Sequence, residues 1–140
     1  MLKKKHKVLP FSLLRLVLAP SDRHWLQQRI DQRFRQMLKQ GFIHEVEKLR
    51  ARTDLDADKP AMRAVGYRQI WNYLDGELGY EDMILRGIIA TRQFAKRQFT
   101  WLRSESDAIW LDILQSNLLD RVTKLLDQYT WVESSFCRDQ

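Results

Sequence analysis

At 140 residues the chain has room for one domain and a modest core, and 44% apolar residues with only 5 Gly and 3 Pro exclude a disordered chain. The single cysteine, Cys137, cannot pair within the chain, which excludes a disulfide framework and fits a reducing, cytoplasmic setting. The net charge of +6 is uneven: residues 104–140 hold 3 Lys/Arg against 7 Asp/Glu, whereas residues 1–103 hold 21 against 11. Such a basic body favours a polyanionic partner, although a solvated surface accounts for a high pI equally well.

The start, Lys3-Lys4-Lys5-His6-Lys7 followed by Phe11–Ala19, has the outline of a secretory signal. Arg15 interrupts its apolar run and no small-residue cleavage site follows Pro20, so export is not expected. No apolar stretch reaches about 18 residues, which excludes a transmembrane helix. Phe11–Ala19, ended by Pro20, reads as a short buried strand, and a lone strand must find a partner for its ladder.

Ser21 as N-cap and Gly41 as C′ residue bracket a helix over roughly Asp22–Gln40, with Leu26, Ile30, Phe34 and Met37 as its apolar stripe. A shorter helix follows with Phe42, Val46 and Leu49 inward, then a polar loop from Thr53 to Pro60. The next helix carries Ile70, Trp71 and Leu74 and stops at Gly76; the longest runs from about Tyr80 to Arg103. A short extended segment, Ala108–Asp112, precedes a last amphipathic helix with Leu114, Leu118, Val122, Leu125 and Tyr129. Residues from about Trp131 read as a loose tail.

The long helix separates by chemistry when projected at ~100° per residue. With Arg92 at zero, Lys96 and Arg103 fall at about 40° and 20°, and Arg86 and Arg97 at about 120° and 140°. Met83, Ile84, Gly87, Ile88, Phe94, Ala95, Phe99, Trp101 and Leu102 fall between about 180° and 340°. Leu85–Arg103 contains no acid. An ordinary exposed helix mixes signs at i,i+4, so five unopposed cations suit a helix laid along phosphates better than a merely solvated face. Gln93 and Gln98 could read base edges, and Phe99 and Trp101 could stack on unpaired bases. Their angular position nevertheless places both aromatics with the core.

Gly66, between Val65 and Tyr67 and flanked by Arg63 and Arg68, permits either a turn capping a helix or a close approach to a ligand. Arg33 falls at about −20° when Leu26 is zero, inside the stripe of the first helix. An inward arginine needs an anion, a carboxylate partner or a snorkelling stem. His6, His24 and His44 have no metal-ligand spacing, and Asp54, Asp56 and Asp58 lack the glycine and glutamate of a calcium loop, so no metal site is expected.

Several words of the sequence occur together and in order: MRAVGYRQIW (Met62–Trp71), YLDGE (Tyr73–Glu77), RGIIATRQFAKRQFTWLR (Arg86–Arg103) and WLD (Trp110–Asp112). From about Phe11 to Asp112 the chain resembles the C-terminal part of the tRNA dimethylallyltransferases, or tRNA isopentenyltransferases. A GxxxxGKS or GxxxxGKT phosphate loop, which that family places near its N-terminus, is absent.

The resemblance implies a mainly α fold with one or two short strands, the first a remnant of the parallel sheet of a P-loop-type α/β core. It implies a basic N-terminus and last core strand over 1–20, a helical tRNA-binding portion over 21–103, an extended segment and helix over 104–130, and a flexible tail over 131–140. The strand's neighbours would be missing, leaving its edges exposed or paired with another chain.

The reaction implied is transfer of a dimethylallyl group from its diphosphate to the exocyclic N6 amine of the adenosine 3′-adjacent to the anticodon, on a base extruded from its loop. Residues Arg63, Ala64, Val65, Gly66, Tyr67 and Arg68, and Lys96, Arg97, Gln98, Phe99, Thr100, Trp101, Leu102 and Arg103, match the family's tRNA-contacting segments. Arg33, in Ile30-Asp31-Gln32-Arg33-Phe34, matches the arginine that approaches the diphosphate. The complete enzyme would use Mg²⁺, whose ligands, like the general base and the phosphate loop, belong to the missing N-terminal core half. This chain alone is expected to bind the tRNA anticodon stem-loop without catalysing. The alternative is a stand-alone, non-catalytic helical RNA-binding module; a DNA-binding role has no helix-turn-helix pattern behind it.

Overall fold

The computed structural model describes residues 13–136, with side chains described as far as Tyr129. The Lys-rich start, Phe11, Cys137 and the end of the expected tail lie outside the described residues. In chain order the elements are β1 (Arg15–Ala19), α1 (Arg23–Lys39), α2 (Phe42–Arg50), α3 (Tyr67–Leu74), α4 (Tyr80–Leu102), β2 (Ala108–Asp112) and α5 (Leu118–Phe136). The fold is mainly helical with two parallel strands in one small sheet. It divides into two compact units: Asp22–Ser104 forms one, and the segments before and after it form the other.

In the sheet-bearing unit, β1 pairs with β2 from Arg15↔Ala108 to Ala19↔Asp112. The strand whose edges were expected to be exposed or paired with another chain therefore finds a neighbour within its own, 93 residues downstream of Arg15. Residue patterning could not show this, because pairing between segments so far apart leaves no local trace. Val17, Ala19 and Leu111 are buried, whereas Leu18 is 58% exposed. Arg15 meets Glu105 and Asp107 at 3.6 Å where the strands begin.

Where they end, the Asp112 carboxylate accepts from the backbone N–H of Ser21 at 3.1 Å and of Leu114 at 3.0 Å. A hydrogen bond from the Ser21 side chain does most to hold the Asp112 pKa below the usual carboxylate range, helped by the Leu114 and Ser21 N–H groups. This turn keeps Leu114 out of α5, whose apolar face it was expected to share. Leu118, Val122, Leu125 and Tyr129 are half-buried as that face requires. The helix also runs on to Phe136, through residues expected to be a loose tail.

In the helical unit, α1 is capped by Asp22, whose carboxylate accepts from the His24 N–H at 2.7 Å; Ser21, the expected cap, stands one residue too early. The core gathers Phe34, Phe42, Val46, Met62, Ile70, Trp71, Met83, Ile84 and Ile88. Phe34 packs edge-on to Phe42 (centroids 6.5 Å apart), and Phe42 edge-on to Tyr67 (5.0 Å). Arg50 fastens α2 to α3 by donating to the Leu74 carbonyl at 3.0 Å and pairing with Asp75.

Gly87, on the buried side of α4, is the seat for the Phe34 ring: a Cβ there would lie under 3.0 Å from three of its carbons. Alanine is worth about 1 kcal/mol more than glycine in a helix interior. The clash reverses that preference, since overpacking costs about 1–3 kcal/mol. Gly87→Ala should therefore lower stability in urea denaturation, and Phe34→Leu should cost less in that background than in the native chain. A neutral or stabilising Gly87→Ala would unseat the ring from this position.

Candidate nucleic-acid interface

Buried residues of α4 are confined to Met83, Ile84, Gly87 and Ile88, the stretch against which α1 and α3 pack. From Ile89 to Arg103 no residue is fully buried. Ala90, Thr91, Ala95, Phe99 and Leu102 are half-buried, and the rest of that stretch is exposed. Arg92, Lys96, Arg97 and Arg103 are all exposed on it, and so is Arg86 one turn earlier. Among the described residues none of these five cations pairs with a carboxylate. Arg97 instead lies 5.9 Å from the Phe94 ring centroid, and Arg103 lies 5.9 Å from that of Phe99.

The expectation that Phe99 and Trp101 belong to the core fails for Trp101. Phe94 is 48% and Trp101 63% exposed, because the helices that cover Met83–Ile88 do not reach them. Phe99 and Leu102 remain half-buried. Leu85 and Ile89, exposed on the cationic side, were not singled out in the sequence. Thr100 spends its hydroxyl on the Lys96 carbonyl at 3.0 Å, and Gln98 is exposed.

The second basic segment lies at the start of α3. Arg63 and Arg68 both line a cleft of about 450 Å³ with Asp58, Met62, Trp71 and Asn72. Arg63 is held by Asp58 at 3.1 Å, so Arg68 is the cation there without a carboxylate partner among the described residues. Asn72, one turn beyond Arg68, places an amide at the same cleft; that i,i+4 spacing is the signal by which it could have been found.

Gly66 is buried with φ 95°, and a Cβ on it would stand 2.9 Å from the Phe42 ring. Its backbone closely approaches the core. The Gln69 side chain accepts from the Gly66 N–H at 2.8 Å and so opens α3. Ala64 is exposed and Val65 half-buried beside it. The Tyr67 hydroxyl donates to the Glu45 carboxylate on α2, and this bond, helped by partial burial, raises the Tyr67 pKa above its ordinary value.

Arg33, expected to face inward, is exposed. The buried arc of α1 is centred on Phe34 and reaches half-buried Leu38, about 80° and 120° round from Leu26, so Arg33 at about −20° lies on its flank. Among the described residues no carboxylate pairs with it. No group of three or more His, Cys, Asp or Glu among the described residues could hold a metal ion, and no described helix is long and apolar enough to cross a membrane.

Residues 1–105 match the sequence model of the IPP transferase family. Among solved structures, the full-length tRNA isopentenylpyrophosphate transferase of Bacillus halodurans aligns over 89% of this chain and 39% of its own, with 29% identity and a TM-score of 0.73. The tRNA delta(2)-isopentenylpyrophosphate transferase of Staphylococcus epidermidis aligns over 83% of this chain and 38% of its own, with 25% identity and a TM-score of 0.70. The chain thus spans about two fifths of the length of these proteins.

The Tyr67–Glu45 bond has a pH signature. A phenol whose folded pKa is raised keeps its proton more tightly when folded, so its contribution is complete below the unfolded value near 10. That contribution is lost as pH rises through the folded pKa. Ultraviolet titration should show one late-ionising tyrosine that Tyr67→Phe removes, and alkaline melting should fall less steeply in that variant. A titration unchanged by Tyr67→Phe would count against the bond.

Proposed function

The chain belongs to the IPP transferase family, and we propose that it forms the tRNA-holding portion of an enzyme that prenylates tRNA. In this reading a dimethylallyl group passes from dimethylallyl diphosphate to the exocyclic N6 amine of the adenosine next to the anticodon on its 3′ side. The target base leaves its stack to reach the reacting centre, so the protein must grip the flanking backbone while one nucleotide is extruded. The observation that carries the proposal is the solvent-open stretch of α4, where Arg92, Lys96, Arg97 and Arg103 stand without acids. Cations left unopposed by carboxylates are free to neutralise phosphates and release counterions. Arg68, at the cleft beside α3, supplies a further contact of the same kind.

The sequence holds no phosphate-binding loop, and the described residues gather no ligand set for Mg²⁺. We assign the chain grip and not turnover, apart from Arg33. An exposed guanidinium without a carboxylate partner is available to an anion, and a departing diphosphate is the anion this chemistry generates.

Replacing Lys96 and Arg97 with alanine should weaken binding of anticodon stem-loop RNA and lower the slope of log K against log salt by about one to two units. An unchanged slope would return both cations to a solvated face. Arg33→Ala should leave the melting temperature of this chain almost unchanged, since an exposed, unpaired side chain is worth within about 0.5 kcal/mol. In the complete enzyme the same change should cut turnover by about 10²–10³-fold at constant RNA affinity. Normal turnover would remove Arg33 from the reacting centre.

A further inference from the structure

One acid stands where the proposed use of the molecule makes it a liability. Glu45 is exposed on α2, and its carboxylate accepts from the hydroxyl of Tyr67, the residue next to Arg68. Among the described residues no cation pairs with Glu45; His44 beside it pairs with Glu47 instead, at 3.3 Å. On charge alone an unpaired carboxylate at this segment repels an approaching polyanion. What the tyrosine holds in place accounts for it.

The eight-residue helix α3 is fastened to α2 at both ends. Arg50 secures its far end through the Leu74 carbonyl and Asp75. Tyr67 secures its near end, by its ring edge-on to Phe42 at 5.0 Å and by its hydroxyl on Glu45. With Tyr67 at zero, Ile70, Leu74 and Trp71 fall at about 300°, 340° and 40° on the core side, whereas Arg68 and Asn72 fall at about 100° and 140° and line the cleft. The Phe42 contact fixes where Tyr67 sits; the hydrogen bond, being directional, fixes how it is turned. That matters most in a first turn, where backbone N–H groups lack partners within the helix and the chain frays. Arg68 is the next residue, so the rotation that Tyr67 takes is the rotation that Arg68 inherits. A guanidinium meets phosphate through a planar fork and needs direction as well as charge. We infer that Glu45 is a positioning residue, which holds Tyr67 so that α3 presents Arg68 to an RNA phosphate at the cleft. The inference rests on the RNA-binding reading above and adds to it an acidic residue that acts on RNA only through its neighbours.

Charge and positioning predict opposite signs. Removing the Glu45 carboxylate makes the chain more positive, so bulk electrostatics demands tighter RNA binding, whereas loss of a positioning residue demands weaker binding. The test titrates anticodon stem-loop RNA at several salt concentrations against the native chain and the Glu45→Ala, Glu45→Gln, Tyr67→Phe and Arg68→Ala variants. Glu45→Ala and Tyr67→Phe should each weaken binding and lower the slope of log K against log salt by up to about one unit, the share of one phosphate contact. Neither should weaken binding further in the Arg68→Ala background, because all three act through one contact. Glu45→Gln keeps an acceptor for the hydroxyl and should retain the native slope. Tighter or unchanged binding by Glu45→Ala would overturn the inference, and so would a loss that persists in full beside Arg68→Ala. A lowered melting temperature with native affinity in the folded protein would overturn it too, leaving the bond a fastener of α2 to α3 and nothing more. Each of these outcomes leaves the cations of α4 untouched, since they answer to the Lys96/Arg97 variant; a native chain that does not bind the stem-loop would sink both readings.

Discussion

The helical unit depends on one ring. Phe34 of α1 fits where α4 has no side chain, at Gly87, and the same ring approaches Gly66 at the start of α3 while meeting Phe42 of α2 edge-on. Four helices are thus referenced to a single side chain. Because close-packed interiors respond in steps and not by smooth yielding, that seat fixes both the spacing of α1 from α4 and the register at which they touch. The register determines how much of α4 is left over. Contact at Gly87 leaves everything beyond Ile89 without a fully covering neighbour, so the helix projects its basic half into solvent.

That projection explains why so charged a helix is tolerated. Five like charges on one helix repel each other, and burying any of them unpaired would be costly. Kept exposed, they are hydrated and screened over about 10 Å at 0.1 M salt, so the repulsion is modest until a polyanion replaces the solvent. The acids of α4 itself, Glu81 and Asp82, are confined to its first turn. Along Arg86–Arg103 the fold leaves these cations unpaired with carboxylates among the described residues.

Much of this was legible in the residues. The bounds of α1 and α4 followed closely from period and punctuating residues, and Ala108–Asp112, read as a short extended segment, forms β2. What failed had a common origin. Periodicity says which side of a helix is apolar but not how far along it a partner extends, so Phe99 and Trp101 were assigned to a core that stops at Ile88, where Phe99 is half-buried and Trp101 exposed. It also fixes a stripe only to the nearest residue, which turned Arg33 inward when the true centre lay nearer Phe34. The pairing of β1 with β2 was invisible for a third reason: nothing local in either segment records a partner some 90 residues away. The cations of α4 stood out by the lack of acids around them, the segment Arg63–Arg68 drew its weight from the resemblance, and the burial of Gly66 against Phe42 required the tertiary fold.

The parallel pairing of β1 with β2 also orders events in time. Parallel strands need a crossover, and here the crossover is the whole helical unit, Asp22–Ser104. Closing a flexible loop of roughly 90 residues costs about 4 kcal/mol in chain entropy, beyond a constant, and a five-residue ladder recovers little of that. A helical unit whose contacts are mostly between neighbouring elements forms quickly on its own account. Once folded it is no longer a loose loop, and the entropy of closure falls with it. The strands therefore zip last, and Asp112, bonding the Ser21 N–H, is the latch that records completion.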